Sequence, residues 1–77
     1  MVNERELKIM KSYEQKGYHT MRCGSPDFLF IKTKDGEIIE SLFVEVKSPS
    51  DNLSYEQFIW KKVIEGLGAN YKVIEVN

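Results

Sequence analysis

The sequence predicts an α/β domain: a small mixed β-sheet flanked by helices, in the order α-β-β-β-α-β. Three observations carry that prediction. Two stretches place apolar residues at helical spacing, four short runs are rich in β-branched and aromatic residues, and an Asp-Gly pair separates the second of those runs from the third. From Asn3 to Lys16, Leu7, Met10, Tyr13 and Glu14 recur at helical spacing, with Ile9 widening the apolar stripe, and Gly17 supplies a stop. "YHTMRC" (18–23) and "DFLFIKT" (27–33) read as the first two strands, and "KDGE", centred on Asp35-Gly36, as the turn of a hairpin. The third strand spans Glu37 to Lys47. Its second half, "LFVEVK", is apolar enough for a central position.

"SPSDN" (48–52) is a loop by composition, and Ser54 followed three residues later by Gln57 is a capping-box pattern that opens a second helix. Phe58, Ile59, Val63, Ile64 and Leu67 form its predicted apolar stripe, with Gly66 and Gly68 marking the end. "NYKVIEVN" (70–77) is a fourth strand. The connection from the third strand through the helix is long enough for a right-handed parallel crossover.

A chain of 77 residues makes one domain, 1–77, and buries only roughly 60% of the surface its unfolded form exposes, so a partner subunit would help it. At 42% hydrophobic and 30% charged residues the composition is that of a folded protein rather than a disordered one. Neither a membrane span nor the apolar core of a signal peptide can be read, which predicts a cytoplasmic protein, in a bacterial cell or a phage-infected host, with no membrane partner. The single cysteine, Cys23, has no second thiol for a disulfide or a thiolate metal site and reads as a small buried residue. His19, the only histidine, has no ligand partner at a useful spacing and reads as structural. A net charge of −1 lacks the basic surplus usual for a nucleic-acid binder, yet does not exclude one, because carboxylates gathered around a divalent cation would have their charge restored by it.

The residues that suggest chemistry lie on the second and third strands. Asp27 stands at the start of one strand, after a proline, although aspartate is disfavoured in strands. Glu45 and Lys47 lie two apart on the next, about 6.6 Å along the same face. An E-x-K tripeptide is usually a solvated charge pair. Here it is embedded in an apolar central strand, where charge is costly unless paired or bound to a metal.

"GSPDF", "FVEVKSP" and "LSYEQFIW" together resemble the VRR-NUC branch of the PD-(D/E)xK nuclease superfamily, from the first helix to the last strand. The resemblance implies a restriction-endonuclease-like core. It implies that Asp27 and Glu45 are metal ligands, that the Val46 carbonyl completes the protein's share of the coordination, and that Lys47 is the catalytic lysine. Mg²⁺ or Mn²⁺ is the implied cofactor, and no nucleotide cofactor is expected. Phosphodiester hydrolysis needs an activated water and stabilisation of charge on the phosphate oxygens, and a hard divalent cation on oxygen ligands supplies both. Lys47 beside two carboxylates suits positioning better than outright base catalysis.

The resemblance also implies a first-helix glutamate that reaches the metal. Glu6 shares a face with Met10 and Tyr13 and is the expected residue, Glu4 is the alternative, and Glu14 sits near the wrong end. Gln57 is a cap by local rule and a site residue by resemblance. Ser48 and Ser50 either meet phosphate or shape their loop, while Arg22, Lys61, Lys62 and Lys72 are candidates for tracking a DNA backbone. Trp60 reads as core or dimer interface. Stand-alone members of this size resemble phage or bacterial repair enzymes that act as homodimers, and "ERELK" with "R-x-G-S" before the Pro-Asp is similar to archaeal Holliday junction resolvases. The expected activity is therefore a metal-dependent endonuclease acting on Holliday junctions or other branched DNA in replication or repair. The alternative is a non-catalytic nucleic-acid-binding or interaction module of the same fold.

Overall fold

The computed structural model describes residues 3–24 and 26–76; Ser25 and Asn77, which belong to two of the sequence readings, lie outside them. The elements follow the predicted order: α1 (Glu4–Gln15), β1 (His19–Arg22), β2 (Phe28–Lys34), β3 (Glu37–Lys47), α2 (Tyr55–Gly66) and β4 (Tyr71–Glu75). The four strands form one sheet in the order β1-β2-β3-β4. β1 pairs with β2, and β2 with β3, in antiparallel fashion. β3 pairs with β4 in parallel. The apolar second half of β3 is therefore interior to the sheet, as its composition predicts.

Local chemistry fixes the boundaries. Asp35 and Gly36 both take positive φ, 52° and 81°, which suits a tight hairpin turn whose twist matches the strands it joins. The register slips between Lys32 and Thr33, so that Lys32 pairs with Glu40 but Thr33 with Ile38. Both helices begin with a reciprocal capping box: Asn3 with Glu6, and Ser54 with Gln57. Both also end in the same six-to-one closure, with the Tyr18 N–H donating to the Tyr13 carbonyl and the Ala69 N–H to the Ile64 carbonyl. Gly17 and Gly68 occupy the left-handed position that each closure requires, whereas Gly66 is still helical.

Strand alternation sorts the side chains between two unequal faces. Phe28, Phe30 and Val44 are fully buried, and Ile9, Met10 and Tyr13 of α1 pack on them with Tyr18, Leu42, Val46 and Ile74. The Tyr13 ring stacks on Phe30 at 4.3 Å between centroids, and Tyr18 meets Tyr13 edge-on at 5.4 Å. The opposite face is thinly covered. α2 buries only Ile64 there, and the expected stripe is mostly in solvent: Phe58, Ile59, Val63 and Leu67 are all exposed, as is Trp60, which is not part of the core. A twelve-residue helix cannot bury on a single sheet face five apolar side chains, Leu67 at its cap among them, that are arrayed over more than half its circumference. Cys23, expected to be buried, is exposed instead, because it follows β1 at the sheet's outer edge.

The stability of the fold accordingly rests on the α1 face. Phe30→Ala is expected to lower the unfolding free energy by about 3–5 kcal/mol, whereas Leu67→Ala, at a position 82% exposed in the single chain, should change it little in dilute protein. Urea denaturation followed by circular dichroism measures both.

Candidate active site

Asp27 owes its position to the proline before it. The antiparallel register that pairs Phe28 with Val44 sets Asp27 opposite Glu45 and Pro26 opposite Val46 when continued outward. Pro26 has no N–H, so the ladder cannot continue there in the ordinary way. The Asp27 carboxylate takes over instead: its Oδ2 accepts from the Val46 N–H at 2.8 Å. In a strand the N–H and C=O of one residue point to the same side, so the Val46 carbonyl also faces the end of β2. Proline offers it no donor from that strand. The Asp27 backbone is held from both neighbours, its carbonyl accepting from the Cys23 N–H at 3.1 Å and its N–H donating to Glu45 Oε2 at 3.1 Å.

Glu45 is the one buried charged side chain among the described residues, 3% exposed. Its Oε2 takes the Asp27 N–H, and its Oε1 accepts from Gln57 Nε2 and lies 3.9 Å from the Lys47 ammonium. Gln57 performs the capping duty read from the sequence and also reaches Glu45. Its Oε1 accepts from the Ser54 N–H at 2.9 Å to complete the cap of α2, and this fixes the amide so that the NH₂ group is turned to Glu45. A glutamate at 57 could cap the helix equally well but would set a third carboxylate against Glu45.

Of the three first-helix glutamates, Glu6 is the one whose charge acts on Asp27. It is half-buried, and its Oε2 also accepts from the Asn3 N–H at 3.2 Å, so like Gln57 it is both the third residue of its helix and a neighbour of the site. The Asn3–Glu6 capping box was not read from the sequence, though the N-x-x-E spacing before an apolar stripe was the signal for it. Glu4 is exposed in a shallow concavity shared with Arg5, Lys8 and Val76, and Glu14 accepts from the Thr20 hydroxyl at 3.0 Å. The Ser48 hydroxyl donates to Asp51 at 2.7 Å and shapes the loop after β3. Lys61 is half-buried one turn after Gln57 on the same side of α2; Lys62 lies over the Phe58 ring, and Arg22 is exposed at the end of β1.

The pair of carboxyls is under strain of charge. Burial is the main cause that raises the Asp27 carboxyl above its usual range; the Val46 N–H works against this, and the Glu6 charge adds to it. Burial likewise raises Glu45, reinforced by the charge of Asp27. Among the described residues no three of His, Cys, Asp and Glu stand together as a complete metal cluster. The donors that meet are hard oxygens, the carboxylates of Asp27 and Glu45, whose mutual repulsion a cation would relieve; strand geometry turns the Val46 carbonyl toward the start of β2, beside Asp27. That set fits Mg²⁺ or Mn²⁺ rather than a thiophilic metal.

A Pro-Asp at the end of one strand, facing an E-x-K on its neighbour in a mixed α/β sheet, is the arrangement that defines the PD-(D/E)xK nucleases. Within that class, residues 2–77 match the family model described as the VRR-NUC domain. The chain belongs to the VRR-NUC family, a nuclease family, and the match spans essentially its whole length. No curated protein and no solved structure matches it.

The raised carboxyls make a prediction about pH. A folded carboxyl that binds its proton more tightly than the unfolded one makes stability fall as pH rises from the ordinary carboxylate value through the folded one, with the loss complete above. Asp27→Asn keeps an acceptor for the Val46 N–H and removes the charge. In metal-free buffer at neutral pH this variant should melt above the wild type, and the difference should close as pH falls below 3.8, the ordinary value for Asp27. Paired melts across pH 3–8 would refute it if the variant is the less stable at neutral pH.

Proposed function

We propose that this protein is a divalent-metal-dependent endodeoxyribonuclease that acts as a homodimer on branched DNA, Holliday junctions among them, in replication or repair. The observation that carries the reading is the convergence of Asp27, Glu45, Lys47 and Gln57 on the end of β3, in a chain of a nuclease family. When bound, Mg²⁺ or Mn²⁺ would supply polarisation of the scissile phosphate and an activated water. Asp27, Glu45 and the Val46 carbonyl would hold the cation, with Glu6 behind Asp27. Gln57 keeps the Glu45 carboxylate in one orientation by occupying one of its oxygens. The Lys47 ammonium orients the attacking water and offsets charge that grows on the phosphate oxygens. Arg22, Lys61 and Lys62 would follow the DNA backbone, a phosphate-directed role that carries no sequence preference.

The homodimer is supported by the thin face of the sheet. Trp60, Val63 and Leu67, 47%, 48% and 82% exposed, border an apolar groove of about 460 Å³ together with Cys23, Pro26, Phe43, Ile64 and Ala69. So small a domain gains most by covering such a face with the same face of a second copy, and a two-fold pair would set two sites against a substrate with matching symmetry.

With Mg²⁺ or Mn²⁺ the purified protein should cut labelled four-way junctions in preference to flaps, duplex and single strands. Lys47→Ala should slow cleavage by about 10²–10³-fold while gel-shift affinity for the junction changes only slightly. Intact DNA throughout the panel would exclude the nuclease reading, and junction binding without cleavage by the wild type would favour a binding module. For the dimer, light scattering should give twice the 9.0 kDa chain mass, and Leu67→Glu should return it to the monomer value.

A further inference from the structure

β4 contributes a residue that the reading above does not use. Tyr71 pairs with Phe43 and Val73 with Glu45 in the parallel register, so the Tyr71 side chain rises on the face of the sheet that carries Glu45. Its hydroxyl is buried, yet among the described residues it has no hydrogen-bond partner. A buried hydroxyl left unsatisfied costs about 1–3 kcal/mol. A phenylalanine would fill the same space without that cost.

What surrounds the hydroxyl indicates its use. Burial raises its pKa to about 12, and the charges of Glu45, Asp27 and Glu65 act in the same direction, in that order. The two largest charge influences are thus the two carboxylates of the site. A hydroxyl in that field stays protonated at neutral pH and can only donate toward them.

We propose that Tyr71 is a positioning residue of the nuclease site, its hydroxyl donating through one bound water to the Glu45 carboxylate and so holding that ligand for the cation. Glu45 would then be oriented from three directions: by the Asp27 N–H, by the Gln57 amide, and by Tyr71 from β4 beneath. A single water accounts for a buried donor that is near a carboxylate but not in direct contact with it. Groups that orient a metal ligand from behind typically change metal affinity by about 10–100-fold when removed. The inference rests on the reading of Asp27 and Glu45 as cation ligands.

The test is Tyr71→Phe, which removes only the hydroxyl, compared with the wild type and Asp27→Ala. Free Mn²⁺ is followed by electron paramagnetic resonance, and melting is recorded with and without Mn²⁺. Wild-type protein should bind Mn²⁺ and Asp27→Ala should not. Tyr71→Phe should bind at least about tenfold more weakly, gain less melting temperature from the metal, and melt no lower than the wild type without it. Mn²⁺ binding by Tyr71→Phe as tight as wild type overturns the positioning role while leaving the metal site intact. A metal-free Tyr71→Phe that melts well below wild type overturns it too, since the hydroxyl would then be holding the fold. Absence of Asp27-dependent Mn²⁺ binding in the wild type overturns the metal reading and this inference together.

Discussion

The molecule is organised around one costly act, the removal of the Glu45 carboxylate from water at the end of an interior strand. Glu45 is 3% exposed and faces another carboxylate, so each of its oxygens must be met by a donor held in place by something else. The supports come from three parts of the chain. The Asp27 N–H arrives from the residue that leads into β2, the Gln57 amide from the helix after, and the Lys47 ammonium adds its charge from 3.9 Å away, two residues on in the same strand. Remove any of these supports and a buried charge is left exposed to its neighbour's repulsion. That is why the site constrains the sheet, rather than simply resting on it.

The two helices meet this demand with the same local device. Each starts with a capping box, and in each the third residue satisfies its own helix while acting on one carboxylate, Glu6 on Asp27 and Gln57 on Glu45. A residue that is already fixed by a cap loses little further freedom when it enters the site, so positioning and helix initiation share one entropic cost. The chemistry of the two residues then divides. Gln57 offers an amide donor that settles Glu45, whereas Glu6 offers a further negative charge that unsettles Asp27. Such a site is less stable by itself than it would be with its charge compensated, the usual relation between a fold and the function it carries.

Packing is just as uneven. The α1 face holds the stacked aromatics and the fully buried Phe28, Phe30 and Val44, while the α2 face has Ile64 and a groove. Glu45, Lys47 and Gln57 of the candidate site lie on the weakly packed side, together with the exposed Trp60, Val63 and Leu67. In the proposed dimer, a subunit that covered the groove would also confine the surroundings of Glu45 and Tyr71.

Much of this was legible in the sequence because it is local. Periodicity, the Asp-Gly turn, the Ser54–Gln57 spacing and the apolar density of "LFVEVK" depend on neighbours within a few residues, and they specified six elements in order together with the interior place of β3. Proline before Asp27 and the two-residue step from Glu45 to Lys47 were likewise local, and the residues they single out are brought together in the fold. What the sequence could not decide depends on coverage across the sheet. Whether the α2 stripe is buried is a matter of how much surface lies beneath it, which made solvent-facing residues of Phe58, Val63 and Leu67 and left Cys23 at the rim. The place of Tyr71 on the face that carries Glu45 follows only from the parallel pairing of β3 with β4, which joins Tyr71 to Phe43 and which no local pattern encodes.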